Sequence, residues 1–316
     1  MEKRQLGRSG LEIAPIVFGG NVLGWTVDPV TGFKILDAFV DAGFNAIDTA
    51  DTYSRFVPGN KGGESETIIG NWLKGRCKRD DVLIFTKVGH EMGPDKKGLS
   101  RRYIKAEFED SLKRLKTDYV DLYQSHRDDA SVPMEETMEA YAELIAEGKV
   151  CAIGASNFSA ARMQQSLEIC REKNLPRYEA VQPGYNLYSR AGYETELEKF
   201  CLKEKVGVIP YYALASGFLT GKYRSAADFG KSQRGGRMAD FLNARGVRIL
   251  AGLDRVAASH GSTPAAVALA WLIARPSITA PIASATSLEQ LKDFSRAVHL
   301  KLTPADIAAL DHASAY

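Results

Sequence analysis

Three ionisable residues close three consecutive strand-like runs. Asp48 ends Phe44-Asn-Ala-Ile-Asp48, Lys87 ends Ile84-Phe-Thr-Lys87, and His126 ends Leu122-Tyr-Gln-Ser-His126, while Tyr53 lies five residues beyond Asp48. Each has an ordinary structural role when taken alone: an Asp caps the following loop, a Lys is solvated, a Tyr packs. At the C-terminal ends of parallel strands the four would project onto one mouth, where their combined chemistry matters.

Three chemistries are open to that set. Metal-assisted hydrolysis would draw on His126, Asp128, Asp129 and Asp48. Metal barrels usually pool several histidines, and of the five here His90, His260, His299 and His312 do not end strands. No metal is therefore expected. A Schiff base at Lys87 needs a lowered pKa, which Asp48 would oppose. A tyrosine acid fits better. Its pKa of about 10 is too high for ready donation, but a neighbouring Lys87 held charged by Asp48 would lower it. His126 could orient a carbonyl oxygen or share the proton. The set suits protonation of an alkoxide as a carbonyl is reduced.

The hydride must then come from a cofactor, because no side chain supplies one. Ser156-Asn157 ends the fifth run, Gln182 the sixth and Tyr211 the seventh. Ser, Asn and Gln can bind a carboxamide, and Tyr211 can stack on a flat ring. Each is also an ordinary loop-capping residue. After the eighth run, Ser287 and Gln290 form an S-x-x-Q capping box. The helix it opens would turn its N-terminus to the usual barrel phosphate site. Common nucleotide motifs fail. Gly19-Gly20-Asn21-Val22-Leu23-Gly24 has the wrong spacing for a dinucleotide fingerprint, and Gly217-Phe-Leu-Thr-Gly221-Lys222-Tyr223 is one residue short of a P-loop.

Eight short apolar runs alternate with helical patterns, as expected for strands buried on both faces. They begin near Ile16, Phe44, Val82, Tyr119, Val150, Ala180, Val206 and Ile278. Ser100 caps a helix whose buried face is Ile104, Phe108, Leu112 and Leu115. Met134, Met138, Tyr141 and Ile145 form another, stopped by Gly148. Thr303-Pro304-Ala305-Asp306 opens the last. No Pro/Gly/Ser linker interrupts the alternation, so residues 1–316 read as one α/β domain, a (β/α)8 TIM barrel. A doubly wound open sheet is the alternative. Residues 4–14 read as a small hairpin or lid outside the barrel. Segments 54–64, 89–100 and 216–246 read as long loops on the C-terminal face.

Composition narrows the partners. Lys plus Arg total 41 against 39 Asp plus Glu, a net charge of +2, which is too balanced for a nucleic-acid or membrane-surface face. No apolar run approaches the ~20 residues of a membrane span, and no signal-peptide core follows Met1. Cys77, Cys151, Cys170 and Cys201 are scattered, which fits a reducing cytoplasm.

The chain resembles the aldo-keto reductase family. The resemblance rests on Phe44 through Tyr53, Thr86-Lys87, Asp121 through His126, Gly154-Ala-Ser156-Asn157-Phe158 and Tyr211 through Tyr223, in that order. It extends from Leu6-Gly-Arg-Ser-Gly-Leu to the final helices. It implies a TIM barrel that reduces an aldehyde or ketone with NADP(H), NAD(H) remaining open, through a tetrad of Asp48, Tyr53, Lys87 and His126. The implied cofactor contacts are Asn21, Asp48, Ser156, Asn157, Gln182, Tyr211, Leu214, Ser216, Gly217, Lys222, Ser284, Thr286 and Gln290. Trp25, Tyr53, His126 and Arg127 would meet a small carbonyl substrate, with Phe56 and the 89–100 stretch shaping the pocket. A monomer or weak homo-oligomer is expected. Three departures stand out: no Lys or Arg lies between Ser284 and Gln290, Phe294 replaces an Asn, and Arg127 stands where a Trp is frequent. The potassium-channel β subunits share the fold and a similar His-Arg pair, so a cofactor-binding regulatory subunit is the rival reading. A metal-dependent hydrolase is the third.

Overall fold

The computed structural model describes residues 1–76 and 78–316; Cys77 lies outside the described residues. A hairpin of β1 (Arg4–Gln5) and β2 (Glu12–Ile13) leads into eight parallel strands. These are β3 (Val17–Gly19), β4 (Ala46–Asp48), β5 (Leu83–Val88), β6 (Val120–Ser125), β7 (Val150–Ser156), β8 (Tyr178–Gln182), β9 (Gly207–Val208) and β10 (Ile282–Ala283). Each strand from β3 to β8 pairs with the next, and β10 pairs with β3. Thr279 N–H donates to Val208 O at 2.9 Å and Ile282 N–H to Pro210 O at 2.8 Å, which closes the sheet into a barrel.

Strands β9 and β10 are shorter than the apolar runs Val206–Tyr211 and Ile278–Ile282 suggest. Pro210 and Pro281 lie in those runs and have no N–H to extend a ladder; each offers only its carbonyl, to Ile282 and Val17 respectively.

Helices α1 (Pro29–Asp41), α2 (Glu64–Arg76), α3 (Arg101–Leu115), α4 (Met134–Ala146) and α5 (Ala160–Lys173) follow strands β3 to β7. The short α6 (Ala191–Glu194) and α7 (Glu196–Glu204) follow β8. Next come α8 (Ala244–Ser259) and α9 (Pro264–Ile273), then α10 (Leu288–His299) and α11 (Pro304–Ser314). The expected caps form. Ser100 accepts from Tyr103 N–H, and Thr303 and Asp306 cap reciprocally ahead of Pro304. Gly148 takes a φ of +71° just past α4, a conformation cheap for glycine. One face is off by a residue: Leu144 is fully buried, whereas Ile145 is only partly so. Among the described residues no single helix is long and apolar enough to cross a membrane.

Residues 4–14 form a hairpin, and it is a plug rather than a lid on the mouth. Leu6 and Ile13 are fully buried against Val17, Ala46, Phe85, Leu122 and Ala180 inside the barrel. That contact seals the N-terminal end. The next inward layer follows from the two-residue period of a strand. Ala46, Phe85, Leu122 and Ala180 are each followed two positions on by Asp48, Lys87, Gln124 and Gln182. An apolar floor therefore supports a buried polar layer that opens at the C-terminal ends of the strands.

Candidate active site

Lys87 is fully buried, and Asp48 is 1% exposed. The Lys87 ammonium donates to Asp48 Oδ2 at 2.6 Å, to Thr49 O at 2.7 Å and to the Tyr53 hydroxyl oxygen at 3.0 Å. Its three protons are thus all placed. Asp48 Oδ1 accepts from Gln124 Nε2 at 3.1 Å and from Gln182 Nε2 at 3.0 Å. Gln124 was not singled out from the sequence, although it shares the inward register of Leu122 and His126. Gly154 makes room for it: a Cβ there would come within 3.1 Å of both Ala180 O and Gln124 Cγ.

Burial dominates the electrostatics. It pulls the Lys87 ammonium down, against the raising effect of Asp48. Burial, followed by the Asp48 carboxylate, pushes the Tyr53 phenol well above its ordinary value. This corrects the sequence expectation of a lowered phenol, because Asp48 reaches the same oxygen at 3.4 Å and desolvation penalises phenolate. The hydroxyl is held as a proton donor, with its oxygen in the grip of Lys87. His126 is pushed well below the ordinary imidazole value by burial, then by Lys87, His90 and Arg127. It is neutral at physiological pH and can donate or accept a hydrogen bond, but it is no ready proton source.

His90, set aside in the sequence because it ends no strand, belongs to the site. It lies two residues past β5, its ring is 4.2 Å from that of His126 at right angles, and it lines the same cavity. Asp51 is also unanticipated. It is fully buried behind the layer, neither of its carboxylate oxygens has a partner among the described residues, and burial pushes its carboxyl well up.

A cavity of ≈ 940 Å³ joins these groups to the later strands. Asn21, Trp25, Asp48, Tyr53, His126, Ser156, Asn157, Gln182, Tyr211, Leu214, Ser216, Gly217, Lys222, Ser284, Thr286 and Gln290 all line it. Among the expected residues, Arg127 does not line it. Arg127 is exposed, and the two carboxylates that follow it in the chain are engaged elsewhere: Asp128 pairs with Arg162 at 2.7 Å, and Asp129 accepts from Leu99 N–H and Ser131. Phe294 reaches the cavity wall, yet its ring is core, edge-on to Phe39 and Phe44.

The donor set fits a nicotinamide nucleotide. The Tyr211 hydroxyl donates to Asn157 Oδ1 at 2.8 Å, Asn157 Nδ2 donates to His126 O at 2.9 Å, and Ser156 donates to Gln182 O at 2.9 Å. Gly184 lets the Tyr211 ring lie close, since a Cβ there would meet it at 3.1 Å. Asn157, Tyr212 and Ser216 line the cavity with left-handed backbones, φ +60°, +57° and +58°. Such strain in non-glycine residues concentrates at ligand sites. Ser287 accepts from Gln290 N–H as the cap of α10. The other half of the expected box differs: Gln290 Oε1 accepts from Thr286 N–H at 2.8 Å, one residue earlier than the cap. Ser284 Oγ sits 2.7 Å from both Gly19 O and Asn21 Oδ1. In the loop from Lys222, Arg224 is taken by Asp254 and Lys231 by Asp228.

A (β/α)8 barrel with a buried Lys–Asp pair under a cavity-facing Tyr and His defines an oxidoreductase class of site. The chain belongs to the aldo/keto reductase family, whose model matches residues 15–315. It is 34% identical to an uncharacterised oxidoreductase of Bacillus subtilis, covering 96% of this chain and 92% of the relative. It is 32% identical to the L-glyceraldehyde 3-phosphate reductase of Escherichia coli, over 98% of this chain and 92% of that protein. A putative voltage-gated potassium channel subunit beta of Schizosaccharomyces pombe is also 32% identical, over the same shares of each chain.

Proposed function

We propose that the protein reduces a small aldehyde or ketone to an alcohol, with NADPH preferred and NADH usable, and acts as a cytoplasmic enzyme. The observation that carries the reading is the Lys87 ammonium, 2.6 Å from Asp48 and 3.0 Å from the Tyr53 hydroxyl, beneath a cavity large enough for a dinucleotide and a substrate. The relative named as a reductase of glyceraldehyde 3-phosphate, an aldehyde, supports it.

When bound, the dinucleotide supplies the hydride. Ser156, Asn157 and Gln182 would hold its carboxamide, and Tyr211 would offer its ring face to the nicotinamide. The carbonyl oxygen sits between the Tyr53 hydroxyl and the neutral His126 imidazole. As negative charge grows on that oxygen, Tyr53 delivers its proton, and the Lys87 ammonium stabilises the phenolate left behind. Asp48 and the two glutamine amides fix Lys87; they position the acid and do not meet the substrate.

A screen over aldehydes, ketones, keto-sugars and pyridoxal, with both cofactors, tests the reading by cofactor oxidation. Tight NADPH binding without turnover of any carbonyl would favour the regulatory-subunit reading, which the channel-subunit relatives motivate.

Two binding predictions belong here. If Tyr211 stacks on the nicotinamide, Tyr211→Ala weakens NADPH binding by about tenfold, the loss of roughly one aromatic contact. Tyr211→Phe keeps the ring and loses only the bond to Asn157, so it changes affinity much less. Equal losses in a fluorescence titration would assign the effect to the hydroxyl instead. The second concerns the 2′-phosphate. Ser284, Thr286, Ser287 and the start of α10 offer hydroxyls and a helix N-terminus but no guanidinium, which gives a modest NADPH preference. Thr286→Arg adds the missing cation without removing the Gln290 side chain and raises the NADPH-over-NADH ratio of kcat/KM by about tenfold. An unchanged ratio means that the phosphate docks elsewhere.

A further inference from the structure

Two basic residues of the loop line the cavity without a carboxylate partner among the described residues: Lys222, whose ammonium lies over the Tyr223 ring at 5.1 Å beside the expected phosphate turn, and Arg234. Arg224 and Lys231 are spent on Asp254 and Asp228. Arg234 lines the cavity, yet no side chain or carbonyl among the described residues accepts from its guanidinium. Instead it lies over the Trp25 ring, 4.9 Å from the centroid, and Trp25 packs edge-on against Phe56 at 5.0 Å. The two carboxylates on the cavity wall are both engaged, Asp48 by Lys87 and Asp293 by Thr263 and Arg296. Burial acts against the charge of Arg234, and the neighbouring Arg237 adds to that cost. A half-buried cation without a counter-charge is costly to keep unless a ligand completes it.

Its surroundings say which ligand. Trp25 lies beside the loop that carries Tyr53, since Ser54 Oγ donates to Leu23 O at 2.7 Å and Trp25 packs on Phe56, whereas the expected dinucleotide phosphates belong to the Leu214–Lys222 turn and the Ser284–Gln290 segment. We infer that Arg234 is a specificity-determining residue that binds an anionic group, carboxylate or phosphate, on the carbonyl substrate itself. The inference rests on the carbonyl-reduction reading for its substrate. The planar fork can take either anion through two parallel N–H bonds while its face stays on Trp25. Neutral carbonyls would leave that cation without a counter-charge.

The test compares matched substrates. The carboxylate arm is succinic semialdehyde against butanal; the phosphate arm is glyceraldehyde 3-phosphate against glyceraldehyde. In the wild type, kcat/KM for the anionic member of at least one pair exceeds that of its neutral partner by about 10–100-fold, the range of a charged hydrogen-bonded contact. The arm that shows it identifies the anion. Arg234→Met keeps an apolar stem on Trp25 and collapses the ratio towards one; Arg234→Lys gives an intermediate value. Arg237→Met removes a neighbouring exposed charge and keeps the ratio. A wild type without preference, a ratio that survives Arg234→Met, or an equal loss in Arg237→Met overturns the inference. So does a fall in NADPH affinity with the ratio intact, which assigns Arg234 to the cofactor. If no carbonyl is turned over, calorimetry with glycerol 3-phosphate and with glycerol still decides. Binding of the phosphate that Arg234→Met abolishes supports the subsite although the reductase reading has failed; equal binding by both proteins overturns it.

Discussion

Tyr53→Phe is expected to lose about 10²–10⁴-fold in kcat, the span of a positioned general acid, while NADPH affinity stays near that of the wild type. The change deletes one oxygen. The ring remains against Lys87, whose ammonium lies 4.7 Å from its centroid, and edge-on to His126 at 5.9 Å. The loss therefore falls on the chemical step and not on the shape of the cavity. The pH dependence follows from the directions of the two shifts. The phenol must be protonated to donate; its pKa is raised, so the competent form persists through neutral pH and is lost only as pH rises through that elevated value. His126 must be neutral; its pKa is lowered, so the competent form is lost only as pH falls well below the ordinary imidazole range. Reduction should thus show a broad plateau in kcat/KM. A Tyr53→Phe enzyme with wild-type turnover, or a wild-type profile that climbs with an ordinary histidine pKa, would remove Tyr53 and His126 from these roles.

Lys87→Met should damage both stability and activity. The pair is fully desolvated, with side-chain exposures of 0% and 1%. Removing the cation leaves the Asp48 carboxylate buried with only the amides of Gln124 and Gln182 and the weaker contact to Tyr53. Breaking such a pair costs about 3–5 kcal/mol, a large share of the ~5–15 kcal/mol by which a folded chain is stable. Activity should fall by at least about 10²-fold, because the phenolate loses its stabilising charge. The double variant Asp48→Asn/Lys87→Met separates the two effects. It replaces an orphaned charge by a neutral amide, so most of the stability returns while activity does not. Urea denaturation and turnover of the three proteins read both. A single variant as stable and as active as the wild type would mean that the ion pair is incidental.

How far the site was legible depends on how local each decision is. The strand–helix alternation, the caps at Ser100, Ser287 and Thr303, and the stop at Gly148 all follow from short-range geometry, and each appears in the fold. Asp48, Lys87 and His126 were legible because a strand has a two-residue period and a barrel turns every strand end to one mouth. The same period marks Gln124, but a glutamine inside a strand carries no chemical signal until Asp48 Oδ1 is seen to accept from it across the barrel. His90 escaped for the opposite reason: a loop residue has no period, and only the folded 89–100 segment sets it against the His126 ring.

The order of elements and the types of groups at the mouth could be read from residues 1–316 alone, since these depend on side-chain chemistry and backbone period. The tertiary structure decided the rest. It turned Arg127 to solvent and Arg234 onto Trp25, although both are arginines beside the site. It made the hairpin of residues 4–14 a plug, by burying Leu6 and Ile13 in the barrel floor. It also set the direction of the Tyr53 shift. A neighbouring cation and a neighbouring carboxylate act on that phenol in opposite senses, and only the depth of burial, which no spacing encodes, decides the outcome.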